Sequence, residues 1–150
     1  MRRDKNDSAG VDVAIAGIER QLATPIFCLP ARTEADEITA LMLAQVLEEE
    51  GRTAQCLPAS TSPIAMVESV AQCGHGLICI AATPPNAVMH SRTLARQLYE
   101  RVPGMHLMVG LWDEQRDLSK SKERIGCNAI VVENMADAIA QIRLLQANHG

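Results

Sequence analysis

The scarcity of aromatic residues is the first constraint this sequence sets. One Phe, one Tyr and one Trp among 150 residues leave almost no platforms for stacking bases. Any core must therefore be assembled from Leu, Ile, Val, Met and Ala. Basic charge is also in deficit: 14 Lys and Arg stand against 18 Asp and Glu, a net charge of −4 with both signs mixed along the chain. No basic face advertises a nucleic-acid partner. No apolar run approaches the roughly 20 residues that span a bilayer. Residues 11–17 are too short for a span and lack the layout of a secretory signal, so a cytoplasmic location is expected. The C-x-x-C pair that a zinc site wants is missing. The odd count of five cysteines, without close pairs, argues against a disulfide framework. Cys28, Cys56 and Cys79 lie in or at the end of apolar runs and read as small hydrophobes. Cys73-Gly74-His75-Gly76 reads as a turn. Neither a metal nor a cofactor is expected.

What is present has ordinary globular proportions, 47% apolar and 21% charged. A chain of this length fits one domain, which buries roughly 70% of its unfolded surface. Residues 1–10, charge-dense at their start, read as a flexible terminus, and 11–150 as a single domain. Within it one rhythm repeats five times. Residues 25–29 (PIFCL) form a short apolar run closed by Pro30, a strand signal. Residues 33–50 follow, with Ile38, Leu41, Met42, Val46 and Leu47 on a helical period and Gly51 as the stop. Thr33 or Glu34 opens that helix, and Glu34, Asp36 and Glu37 put negative charge where the helix dipole favours it. A second strand, 53–57, precedes a helix capped by Ser62 with Pro63 at its first position.

The third strand, 77–81 (LICIA), is apolar throughout, as befits a strand covered on both faces. A helix over 86–101 should turn Val88, Leu94, Ala95 and Leu98 towards the sheet. Strand 106–111, helix 119–125, strand 129–132 and helix 135–145 complete the series. This alternation predicts a flavodoxin-like, doubly wound α/β fold with five parallel strands in the order 2-1-3-4-5. An extra N-terminal helix is expected over 11–23, with Ile15, Ile18 and Leu22 on one side.

Ligands in such a sheet bind at the carboxyl ends of the strands, near the switch between strands 1 and 3. The polar residues expected there are the candidate site: Arg32, Thr33, Asp36, Ser60, Thr83, His90, Trp112 and Asp113. Common tenants of the fold fail against them. A phosphoacceptor needs acids after strand 1 to hold a cation, an Asp after strand 3 and a Lys after strand 5. The chain offers Leu29-Pro30-Ala31, Ala81-Ala82-Thr83 and Glu133-Asn134 instead. A nucleotide site needs glycines in the first turn, and Pro30-Ala31-Arg32-Thr33 has none. Arg32 beside a helix start could hold an anion. Ser60, Thr61 and Thr83 are explained as cap or turn residues, and His90 has no assigned carboxylate partner, so no catalytic residue is expected. Trp112, directly after strand 4, is expected to lie largely buried under neighbouring loops.

The segments 24–51, 77–85 and 108–112 with the closing helix resemble the cobalamin-binding domain family across roughly residues 24–145. That family carries Asp-x-His-x-x-Gly in its first loop, the histidine ligating cobalt. The matching window is Glu34-Ala35-Asp36-Glu37-Ile38-Thr39, with Asp36 in the histidine's place and Thr39 in the glycine's. Ser-x-Leu after strand 3 is matched by Ala81-Ala82-Thr83, and Gly-Gly after strand 4 by Gly110-Leu111, with Trp112 following. The strings Cys28-Leu29-Pro30-Ala31-Arg32-Thr33-Glu34-Ala35-Asp36-Glu37, Ala82-Thr83-Pro84-Pro85-Asn86-Ala87 and Val109-Gly110-Leu111-Trp112 resemble a soluble module found in autoinducer-2 exporter-like permeases. That resemblance implies a non-enzymatic, cytoplasmic binding or regulatory accessory domain of a transporter-like membrane protein. Its implied partners are a membrane permease region and a small ligand of unknown identity, with a homo-oligomer left open. Two alternatives stand beside it: a cobalamin binder without histidine ligation, and a small enzyme using the polar carboxyl edge.

Overall fold

The computed structural model describes residues 25–73, 76–112 and 117–147. Five strands, β1 (Ile26–Pro30), β2 (Ala54–Cys56), β3 (Leu77–Ala81), β4 (His106–Gly110) and β5 (Ile130–Val132), form one parallel sheet ordered β2-β1-β3-β4-β5. The intervening helices are α1 (Glu34–Glu49), α2 (Pro63–Cys73), α3 (Ala87–Arg101), α4 (Leu118–Ile125) and α5 (Met135–Ala147). This is the flavodoxin-like α/β arrangement with the strand order expected from sequence. The expected flexible terminus, the N-terminal helix over 11–23, Asp113, and Gly74-His75 of the expected turn lie outside the described residues. None of the described helices is long and apolar enough to cross a membrane.

Strand alternation divides the core between the two faces of the sheet. Phe27, Leu29, Ile78, Ile80, Leu107 and Val109 pack under α2, α3 and α4. Ile26, Cys28, Leu77, Cys79, Met108 and Val132 pack under α1 and α5. Both β1 and β3 are therefore buried at every position, which explains their unbroken apolar runs. Val88, Leu94, Ala95 and Leu98 of α3 all face inward, as expected. Pro30 does not close its run but ends β1, paired with Ala81. Since β2 stops at Cys56, opposite Cys28, the end of β1 has no strand neighbour on that side among the described residues.

Helix α1 departs from the sequence reading. Of the five residues expected to share its inner face, Ile38, Leu41 and Met42 are about half exposed, Val46 is partly buried and only Leu47 is fully buried. The buried set is Asp36, Ala40, Leu43, Ala44 and Leu47, spaced i, i+4, i+7, i+8 and i+11. Two alanines on that face let the helix approach the sheet closely, and Asp36 at its head fixes the rotation. A hydropathy pattern cannot choose that rotation, because it ranks a buried aspartate last. We predict that Leu43→Ala costs about 3 kcal/mol through lost burial and a cavity, whereas Leu41→Ala costs less than ~0.5 kcal/mol. Urea-unfolding midpoints of the two variants check this, and equal losses would contradict the rotation.

Candidate functional site

The carboxyl edge is organised by one carboxylate. Thr33 caps α1: its side chain accepts the Asp36 backbone N–H at 3.1 Å, and Asp36 Oδ2 accepts the Thr33 N–H at 2.9 Å, a reciprocal capping box. The same Oδ2 accepts the Arg32 N–H at 3.0 Å. Oδ1 accepts both the backbone N–H and the hydroxyl of Thr83, each at 2.7 Å. Asp36 has no exposed surface, so four donors stand in for the water it has lost. It ties the β1–α1 turn to the β3–α3 turn across the switch point. Backbone bonds continue the ladder past the strand ends, from Ala31 N–H to Ala81 O, Ala82 N–H to Gly110 O and Leu111 N–H to Val132 O. The β2–α2 turn is held as well, because the Glu37 carboxylate accepts the Ala59 N–H.

Beside this clamp, on the α2–α3 side of the sheet, a cavity of about 360 Å³ opens. Ala31 and Arg32 line it from the β1–α1 turn, Ala59–Ser62 from the β2–α2 turn, Pro63 and Met66 from α2, and His90, Thr93 and Leu94 from α3. Ser62 caps α2 as expected, its hydroxyl accepting the Ala65 N–H at 3.2 Å. Pro63 at the first helical position has no N–H to offer, so the polar character of this wall comes mainly from hydroxyls. Arg32 is exposed. His90 Nδ1 is buried without a hydrogen-bond partner among the described residues, on a side chain at the cavity wall. Among the described residues neither Asp nor Glu lines the cavity.

Of the eight residues expected from sequence, the fold brings Arg32, Ser60 and His90 together in this cavity. Thr33, Asp36 and Thr83 lie next to it but are engaged with one another. Thr61, Ser62 and Thr93 complete the polar lining; the sequence reading puts Thr61 at this edge only as a turn residue and Ser62 only as a cap, and gives no signal for Thr93. The spacing Thr33-x-x-Asp36 was the local signal for the capping box.

Trp112 sits elsewhere. As expected it is exposed over only a minority of its surface, with its ring packed against the α1–α5 core; the residues that follow it, 113–116, lie outside the described residues. Its backbone takes φ 48°, which folds the chain back so that the indole lies on the end of β4. A Cβ built on Gly110 would come 2.6 Å from the Trp112 ring, so this glycine is required for the close approach. Comparison with protein-family models and with curated protein sequences finds no match to this chain.

Two outcomes follow. Asp36→Ala should cost about 3 kcal/mol, since it orphans four donors around a buried site, and Asp36→Asn roughly half as much; unchanged urea midpoints would contradict the clamp. Gly110→Ala should lift the indole off the strand, and because Trp112 is the sole Trp, emission should move towards that of tryptophan in water. An unshifted spectrum would contradict the packing.

Proposed function

We propose that this domain is a non-enzymatic binding or regulatory module that takes a small anion with an apolar body into the cavity beside the switch point. The observation carrying this reading is the cavity's lining: one exposed guanidinium and a run of hydroxyls face a wall of Ala31, Met66 and Leu94. Arginine and hydroxyl donors suit carboxylate or phosphate oxygens, and the apolar wall suits a carbon skeleton. Catalysis is disfavoured on the same ground. His90 has hydroxyls as neighbours in the cavity, but among the described residues no carboxylate lines it to orient the imidazole, so the nucleophile–base–orienter chain is without a third member there. In this reading, which the resemblance to permease modules supports, the domain serves as a cytoplasmic accessory part of a transporter-like protein.

The cobalamin alternative is weakened by two features. The residue standing for the cobalt ligand is Asp36, whose oxygens are occupied by Arg32, Thr33 and Thr83. The indole of Trp112 covers Gly110, where that family leaves room for the nucleotide tail. Inorganic phosphate, followed by calorimetry and by amide shifts of residues 59–62, is the direct probe. Arg32→Ala should weaken binding about tenfold or more. Phosphate binding that ignores this substitution would sink the reading, as would an imidazole-ligated spectrum on adding cobalamin.

A further inference from the structure

A row of thiols crosses the sheet where hydropathy sees only apolar strands. Parallel register sets Cys28 opposite Cys56 on β2 and opposite Cys79 on β3. All three lie on the α1–α5 face of the sheet. Neighbouring strands run about 4.8 Å apart, within the roughly 4.4–6.8 Å between Cα atoms that a disulfide spans.

The three thiols differ in chemistry. Cys79 is fully enclosed, and burial pushes its thiol far up, which keeps it protonated and inert. Cys56 is half-buried at the end of the edge strand. The Cys56 side chain gives its S–H to the Ala40 carbonyl, 3.6 Å away. Its interaction with the facing Cys28 thiol holds Cys56 below its ordinary range despite burial, while the same interaction and then burial raise Cys28.

We propose that Cys56 and Cys28 form a reversible dithiol couple, in which Cys56 is oxidised by a hydroperoxide and Cys28 resolves the product into a cross-strand disulfide. In the first step the Cys56 thiolate attacks the terminal peroxide oxygen and the O–O bond breaks. Sulfur gains a hydroxyl as sulfenic acid, and the alkoxide or hydroxide leaves with the electron pair and is protonated by water. In the second step the Cys28 sulfur attacks the Cys56 sulfur and displaces that hydroxyl as water, taking up the Cys28 proton. A dithiol reductant returns both thiols. In the sum, two thiols are oxidised and one peroxide is reduced.

The test uses the full chain treated with hydrogen peroxide, blocked with iodoacetamide and digested with trypsin plus a Glu-specific protease. That digestion separates peptide 21–32, which carries Cys28, from peptide 53–68, which carries Cys56, and both from Cys73 and Cys79. The expected product is the linked pair 21–32 and 53–68, lighter by one hydrogen from each thiol and lost on reduction. In Cys28→Ala the link should be absent, with Cys56 trapped by dimedone as sulfenic acid. Should that variant fail to fold by circular dichroism, the linked peptide in the natural chain alone decides. A Cys28–Cys79 link, or oxidation confined to the exposed Cys73, would overturn the proposal. Before oxidation, alkylation of Cys56 should reach its half-maximal rate below the ordinary thiol pKa of about 8.5, and a midpoint at or above that value would also count against it.

Discussion

The Asp36 carboxylate is the constraint on which the carboxyl edge depends. Removing a charged group from water costs several kcal/mol unless its lone pairs are met in the interior. Here they are met by three backbone N–H groups and one hydroxyl. Those donors belong to two different turns, so the same bonds that solvate the carboxylate also set the spacing of β1–α1 from β3–α3. That spacing is the switch point of the sheet, beside which the cavity forms. The rotation of α1 follows from it as well. With Asp36 inward, the helical period turns Ala40, Leu43, Ala44 and Leu47 to the sheet and leaves Ile38, Leu41 and Met42 outside.

The sequence made the fold legible because strand order in a doubly wound sheet follows from alternation and handed crossovers, and both are local signals. The all-apolar β3 needed nothing more than its own composition to be placed at the centre. The rotation of α1 was not legible for the opposite reason. Its periodic apolar residues make an amphipathic stripe in their own right, and the residue that overrules them bonds to Thr83, 47 positions further on. Only the capping-box half of that interaction is written locally, in Thr33 and Asp36.

The candidate site shows the same division. Sequence could name the polar residues at the strand ends, but could not say which of them spend their polarity on each other. Thr33, Asp36 and Thr83 do so, whereas Arg32, Ser60 and His90 meet around open space. Trp112 was expected at the edge because it follows β4. Its partner, however, is Gly110 two residues back, and that contact depends on a left-handed backbone at the tryptophan itself, which composition does not signal.

Edge strand β2 is the place where the two halves of the functional argument meet. It is only three residues long and, among the described residues, pairs on one side alone, so the sheet holds it more weakly than any inner strand. Cys56 ends it, and the segment that follows directly carries Ala59–Ser62 to the cavity wall. In the reduced state that segment is restrained by the Glu37 carboxylate on the Ala59 N–H and by the thiol contact with Ala40. A bond from Cys56 to Cys28 consumes the sulfur that makes the second contact and ties the strand covalently to β1 instead. The oxidised form of the proposed couple would therefore hold the hydroxyl wall of the cavity from a different point than the reduced form does.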